Sequence, residues 1–274
     1  MFPFKTALNA STLFPFQLDV EQQIQVAAEA GYEGIELWVG DIQSYIKKGG
    51  TTAQLRSKMN ESGIRLVNAI AFFKWADSDD DTRAQGLMQA EEEMLLLAEL
   101  GCEAVAAPPF GNVEDVTLDQ FAYYFSKLSE MGHKIGVEPY LEFWGRAKKL
   151  STLSETYQIL AKSGLKDSKI LLDPFHMYTG GSDFELLKEI NGSHIGIFHV
   201  NDYPESPSSD VIQDRERVFP GEGIAPSARL AKLLYDAGYR GFLSLELFQE
   251  NYGQRDALEV AAYGLKKMKS AYSV

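Results

Sequence analysis

One pattern constrains this chain more than any other: a short apolar run, then a segment of helical period, then another apolar run. The first four runs follow one another after about 30 residues, the length of one strand-helix unit. The runs lie at Lys5–Ala10, Gly34–Trp38, Arg65–Ile70, Cys102–Ala107, Lys134–Phe143, Lys169–Asp173, His194–Val200 and Gly241–Leu247. The spacing predicts helices over Asp19–Ala30, Ala53–Glu61, Thr82–Leu100, Leu118–Met131, Ser154–Ser163, Asp183–Ile190, Pro226–Ala237 and Ala257–Lys269. Parallel strands need crossover connections, and a closed barrel leaves no strand edge exposed. The expected architecture is therefore α/β, a single (β/α)8 TIM barrel over residues 1–274 with no linker. A doubly wound open sheet is the rival, but no Gly-x-Gly-x-x-Gly follows the first strand.

The strongest helical pattern is Thr82–Leu100, with Leu87, Met94, Leu95 and Ala98 as its expected buried stripe and Glu91-Glu92-Glu93 as a solvated face. A formal net charge of -13 argues against nucleic acid and against an anionic membrane surface, since both need a basic field. It leaves a small polar substrate as the expected partner and leaves room for a homo-oligomer. The one cysteine, Cys102, cannot build a disulfide framework or a thiolate metal site and reads as a buried structural residue. The N-terminus shows no basic segment followed by an apolar stretch, and no later run approaches the ~18 apolar residues that span a bilayer. The expected location is cytoplasmic.

Four potential metal ligands close apolar runs in the second half: Glu142, Asp173, His199 and Glu246. In a barrel these positions share the C-terminal rim of the strands, where active sites are built. Three carboxylates and one imidazole in an apolar site repel one another unless a divalent cation joins them. An oxygen-rich set with one nitrogen suits manganese, magnesium or cobalt, and zinc is also compatible. The connection Asn201–Ala225 is long, polar and proline-bearing, and carries Arg217 and a Pro220-Gly221-Glu222-Gly223 turn, so it reads as a lid or wall of the active face. Glu138 points to the same side of its strand as Glu142, one layer deeper, and needs a partner that the sequence does not name. His133 and His194 begin strands at the opposite end of the barrel and read as structural.

The segments Leu141-Glu142-Phe143, Leu172-Asp173-Pro174-Phe175-His176, Phe198-His199-Val200-Asn201-Asp202, Arg217-Val218-Phe219-Pro220-Gly221-Glu222-Gly223 and Ser244-Leu245-Glu246-Leu247-Phe248 resemble successive motifs of the xylose-isomerase-like sugar phosphate isomerase/epimerase superfamily. Leu8-Asn9-Ala10-Ser11-Thr12-Leu13 and Gly31-Tyr32-Glu33-Gly34-Ile35-Glu36 extend the likeness over nearly the whole chain, and within the superfamily it is greatest to the inosose isomerases of inositol catabolism. The resemblance implies one divalent ion held by Glu142, Asp173, His199 and Glu246, with the two glutamates on opposite sides of the substrate. The chain departs from those isomerases at Arg146, where a histidine is expected, at Pro174, where serine is expected, and in the loop Asp202–Gln213. These positions border the pocket, so they bear on the substrate more than on the reaction.

Such a site suits moving a carbonyl between adjacent carbons, or inverting a carbinol beside one, in a ketose or keto-cyclitol. A metal acidifies the C–H beside the carbonyl and stabilises the enediolate left behind, while carboxylates remove and return the proton. Glu142 and Glu246 take those acid/base roles in this reading. His176 is assigned a substrate hydroxyl, against a structural hydrogen bond. Arg217 is assigned a developing oxyanion or the lid, against a solvated surface charge. Glu36 faces either the pocket or a neighbouring lysine, Asn9 stands at the rim, and Trp38, Phe72 and Trp144 follow strands as aromatic walls able to stack on a ring. The alternative reaction is that of a lyase resembling 3-dehydroshikimate dehydratase, which shares the first proton abstraction and then expels a hydroxyl.

Overall fold

The computed structural model describes residues 1–274. Eight strands, β1 (Lys5–Asn9), β2 (Gly34–Trp38), β3 (Arg65–Ile70), β4 (Ala104–Ala107), β5 (Glu138–Glu142), β6 (Ile170–Leu172), β7 (Ile195–Val200) and β8 (Phe242–Leu245), form one parallel sheet in the order β3-β2-β1-β8-β7-β6-β5-β4. Pairing of β1 with β8 joins the two ends of the chain. The last neighbours, β3 and β4, lie side by side without a backbone ladder, so the structure is a nearly closed TIM barrel. Register sets the rim. Asn9 lies opposite Glu36, Glu36 opposite Asn68, and His199 opposite Ser244, which puts polar side chains from several strands at one level.

The helices are α1 (Val20–Glu29), α2 (Val39–Lys47), α3 (Thr52–Ser62), α4 (Asp80–Leu100), α5 (Leu118–Ile135), α6 (Leu153–Ser163), α7 (Pro174–Thr179), α8 (Ser227–Asp236) and α9 (Ala257–Ala271). Asp19, Thr51, Thr117 and Asp256 start α1, α3, α5 and α9 with capping boxes. Most of the apolar core lies between sheet and helices, and a second cluster of Ile70, Ala104, Ala106, Tyr140, Leu171 and Ile197 fills the barrel interior. No helix is long and apolar enough to cross a membrane. Cys102 is buried, and burial pushes its thiol up to about 12, so it is inert at neutral pH.

Several elements differ from expectation. Helix α2 lies where a loop was expected, because Val39 and Ile42 share its buried face while Gly40 breaks the apolar pattern. Helix α5 continues to Ile135, so Lys134 is not in a strand and His133 sits on a helix; Gly136, at φ 90°, makes the stop. Asp173 ends no strand: it caps α7, with Pro174 in the first turn, where the missing N–H costs nothing. The expected helix Asp183–Ile190 is a 3-10 segment, Phe184–Glu189. On α4 the buried positions include Ala90, Glu93, Met94 and Leu97, while Leu95 is 52% exposed. Glu93 therefore leaves the solvated face assigned to it. Glu138 finds its partner in Lys169, 3.2 Å away at the bottom of the barrel.

The connection from β7 to α8 is folded back as a wall. Asp202 pairs with Val218 through two backbone hydrogen bonds, and its carboxylate accepts from the N–H groups of Tyr203, Gly221 and Ala225. A side chain at position 223 would meet the Tyr203 carbonyl at 2.1 Å, so the second glycine of the Pro-Gly-Glu-Gly turn is a packing requirement. Ile212 is buried in a small cluster with Phe175 and Tyr203.

Candidate metal and substrate site

The C-terminal ends of β5 to β8 bring the four expected ligands to one rim. Glu142 is the last residue of β5, Asp173 follows β6, His199 lies in β7, and Glu246 follows β8; all are buried. Each of Asp173, His199 and Glu246 offers one ligand atom within 4.8 Å of the others. Glu142 stands outside that trio, on the wall of the adjoining cavity.

The imidazole of His199 is oriented from behind. Its Nε2 lies 3.0 Å from Oε1 of Glu36, and Glu36 accepts a hydrogen bond of 2.6 Å from Asn68. Nδ1 faces forward, 3.1 Å from Glu246 and 3.9 Å from Asp173, without hydrogen-bond geometry to either. Asp173 accepts from the Phe175 N–H at 2.7 Å and from Asn201 at 2.9 Å, and Glu246 accepts from Asn9 at 3.0 Å. Each side chain of the trio is thus held by a second residue, the arrangement that orients ligands in metal sites. A buried Nδ1 without a hydrogen bond, between two carboxylates, fits a divalent cation at this point.

Arg217 is fully buried rather than a solvated surface charge. Its Nη1 donates to Asp173 at 2.7 Å and to Glu246 at 2.6 Å, its Nη2 donates to Asp214, and its guanidinium lies between the rings of Phe175 and Phe248. Burial opposes ionisation of Asp173, but Arg217, His176 and His199 hold its carboxyl below the ordinary carboxylate range. Glu142 has no such partner. Burial, reinforced by Glu246 and Asp173 and only partly countered by His199, pushes it up to about 8. At neutral pH in the metal-free chain, Glu142 is the carboxyl that keeps its proton. Burial opposes charge on His199 as well, but Glu246 and Glu36 outweigh it and raise that pKa. A cation on Nδ1 would displace the proton held there.

The cavity in front of these residues has a volume of about 850 Å³. Glu142, Glu246, His176, Arg217, Trp38, Phe72 and Trp144 line it. The Nε2 of His176 lies 4.0 Å from both Glu142 and Asp173. Asn9 and Glu36 do not line the cavity: both are fully buried behind His199, Glu246 and Trp38, whose indole N–H donates to Asn9 at 3.3 Å. Their expected place as substrate contacts gives way to that of residues behind the ligands, because Glu36 and Asn9 lie opposite each other one layer below Trp38, the last residue of β2, which does line the cavity.

Residues missed by sequence reasoning are Asn68, Asn201, Asp214 and Phe110. Asn201 carried a usable signal, since it lies two positions beyond His199. Phe110 follows Pro108-Pro109 on a loop and has no pattern to reveal it. Arg146, read as a pocket residue, also donates to the carbonyls of Ser209 and Ile212 and ties the β5 loop to the wall.

A nearly closed parallel barrel, a buried cluster of candidate metal ligands at its C-terminal rim and a folded wall over them define the class, and residues 24–271 match the xylose isomerase-like TIM barrel family. The chain belongs to that family. It is similar to the inosose isomerase of Bacillus velezensis, 25% identical over 248 residues that cover 88% of each protein. It is also similar to the 3-dehydroshikimate dehydratase of Pseudomonas putida, 26% identical over 254 residues, which cover 90% of this chain and 39% of that protein. In fold it matches a crystal structure of IolI protein with a bound zinc atom, with a TM-score of 0.89, 23% identity and 98% of both chains covered.

Proposed function

We propose that this chain is a divalent-metal-dependent isomerase or epimerase of a ketose or keto-cyclitol, of the inosose kind, working through an enediolate. The observation that carries the reading is the buried Asp173, His199 and Glu246 trio, whose Glu246 lines the same cavity as Glu142. These four residues would hold one manganese, magnesium, cobalt or zinc ion. When bound, the ion would supply Lewis-acid polarisation of the carbonyl and its neighbouring hydroxyl.

The chain's own groups account for the remaining steps. Glu142 and Glu246 remove the proton beside the carbonyl and return it, on the adjacent carbon for isomerisation or on the opposite face for epimerisation. Arg217 balances negative charge gathering on the substrate oxygens, since its guanidinium already sits among carboxylates out of water. His176, whose charging burial opposes, meets the substrate as a neutral imidazole and hydrogen-bonds a hydroxyl. Trp38 meets the apolar face of the reacting ring.

A second reading is a lyase, favoured by the likeness to the dehydratase of Pseudomonas putida. It keeps the proton abstraction and differs in losing a hydroxyl afterwards. Turnover in deuterium oxide decides between them: an isomerase or epimerase takes deuterium at the carbon beside the carbonyl, and a lyase gives an ultraviolet-absorbing catechol from dehydroshikimate. Glu246→Gln should lower turnover by orders of magnitude. No exchange with any of the four metals over a panel of ketoses and inososes would sink the isomerase reading.

A further inference from the structure

The cavity is larger than one reacting ring needs. A six-carbon cyclitol or ketose has about a dozen heavy atoms, and even at the ~30 Å³ that liquid water allots each molecule it fills less than half of the roughly 850 Å³ present. The excess has a wall of its own. Phe72, Phe110 and Trp144 pack as a triangle, with ring centroids 5.5 Å apart for Phe72 and Phe110 and 6.3 Å for Phe110 and Trp144, both edge to face, and 6.2 Å for the tilted pair of Phe72 and Trp144. All three are only half-buried and turn their remaining surface to the cavity. The triangle continues the metal site rather than standing apart from it: the Trp144 side chain adjoins Glu142, and Trp38 bridges Phe72 at 5.1 Å to Phe248, which covers Arg217. Lys74, Asn112 and Lys148 border this end and can donate to hydroxyls on the edge of a bound group.

We propose that Phe72, Phe110 and Trp144 form a subsite for a second ring, so that the substrate is a polyhydroxylated carbonyl compound carrying a further ring substituent. The inference rests on the metal-dependent reading above. The recognised feature is a ring with an apolar face, which an aryl group and a pyranose both present. Stacking on edge-to-face aromatics is worth enough per ring to make binding roughly tenfold tighter.

Hydroxamates, which chelate divalent metals, separate the two ideas. Calorimetry on the manganese-loaded chain compares acetohydroxamate with hexanohydroxamate, 3-phenylpropionohydroxamate and a glucosyloxy-acetohydroxamate. The expected result is about tenfold tighter binding of one or both ring-bearing probes than of the other two. Phe110→Ala should remove most of that gain and leave acetohydroxamate affinity as it was. Gain with phenyl alone assigns an aryl substituent, and gain with glucosyl alone a sugar. If acetohydroxamate binds and the ring-bearing probes gain nothing, or hexanohydroxamate gains as much, the subsite is overturned while the metal site stands. If acetohydroxamate binds no tighter with manganese than without, the metal site is lost and this inference with it.

Discussion

The two nitrogens of His199 have separate tasks, and Glu36 separates them. With its Nε2 directed at Glu36, the ring presents Nδ1 to Asp173 and Glu246. Replacing a carboxylate behind a ligating histidine typically costs 10–100-fold in metal affinity. Glu36→Gln should therefore weaken manganese binding by about that factor, with no residue of the cavity wall changed; an unaltered affinity by calorimetry would show that Glu36 has no hold on the ligand. The residue itself was visible in the sequence as a carboxylate inside an apolar run, but its direction was not. Alternation along β2 tells which side of the strand it takes, and only the register with β1 and β3 tells that it stops one layer short of the cavity. The same holds for Asn9. Arg217 was readable as a loop arginine beside the ligand motifs, whereas its burial depends on the fold of the whole wall. The ligand trio was legible because each member closes an apolar run, a purely local signal.

Among the elements, strands were easier to read than what joins them. β2 and β3 lie where the apolar runs put them, since fully buried parallel strands are continuous apolar stretches. Helices α2 and α7 were not foreseen, because short helices pack by a few contacts and leave little periodicity, and the helix expected after α7 is a 3-10 segment. Two elements carry predictions. Arg146 links the loop after β5 to the carbonyls of Ser209 and Ile212, the latter just before Asp214 and Arg217 in the chain. Arg146→Ala should loosen residues 203–216, seen as faster amide exchange there with exchange in β5 to β8 unchanged; equal protection in both proteins would remove the latch. On α4, burial raises the carboxyl of Glu93 above its ordinary value, hydrogen bonds from Gln89 and Gln43 lower it only in part, and one carboxylate oxygen has no partner. A raised folded pKa means that the native state binds the proton more tightly than the unfolded chain. That stabilisation is fully present below the ordinary value of 4.5 and is lost as pH rises through the raised one. Glu93→Gln does not titrate, so its melting temperature should gain on that of the parent as pH rises above 4.5. A difference constant across this range would contradict the assignment.

At the scale of the molecule, a bound cation would couple the barrel to its site. The ligands come from β6, β7 and β8, and Glu142 from β5, so an ion joining them ties half the staves together at one end. The folded chain gathers these groups and the unfolded chain does not, so binding adds RT ln(1 + [M]/Kd) to stability, about 2.7 kcal/mol at a hundredfold excess over Kd. For a chain of this size that corresponds to roughly 5–10 °C in melting temperature. Adding manganese, cobalt or zinc to chelator-treated protein should produce such a rise, and excess chelator should reverse it. The increment should shrink on acidification: burial disfavours charge on His199, but Glu246 and Glu36 raise its pKa, and the proton they favour competes with the ion for Nδ1. Asp173→Asn separates metal linkage from general salt effects. It keeps the size of the side chain and the cap of α7 while removing a ligand charge, so the variant should melt at nearly the same temperature with and without metal. A full rise in Asp173→Asn, or none in the parent with any of these ions, would show that the rim is held by Arg217 and the hydrogen bonds around it alone.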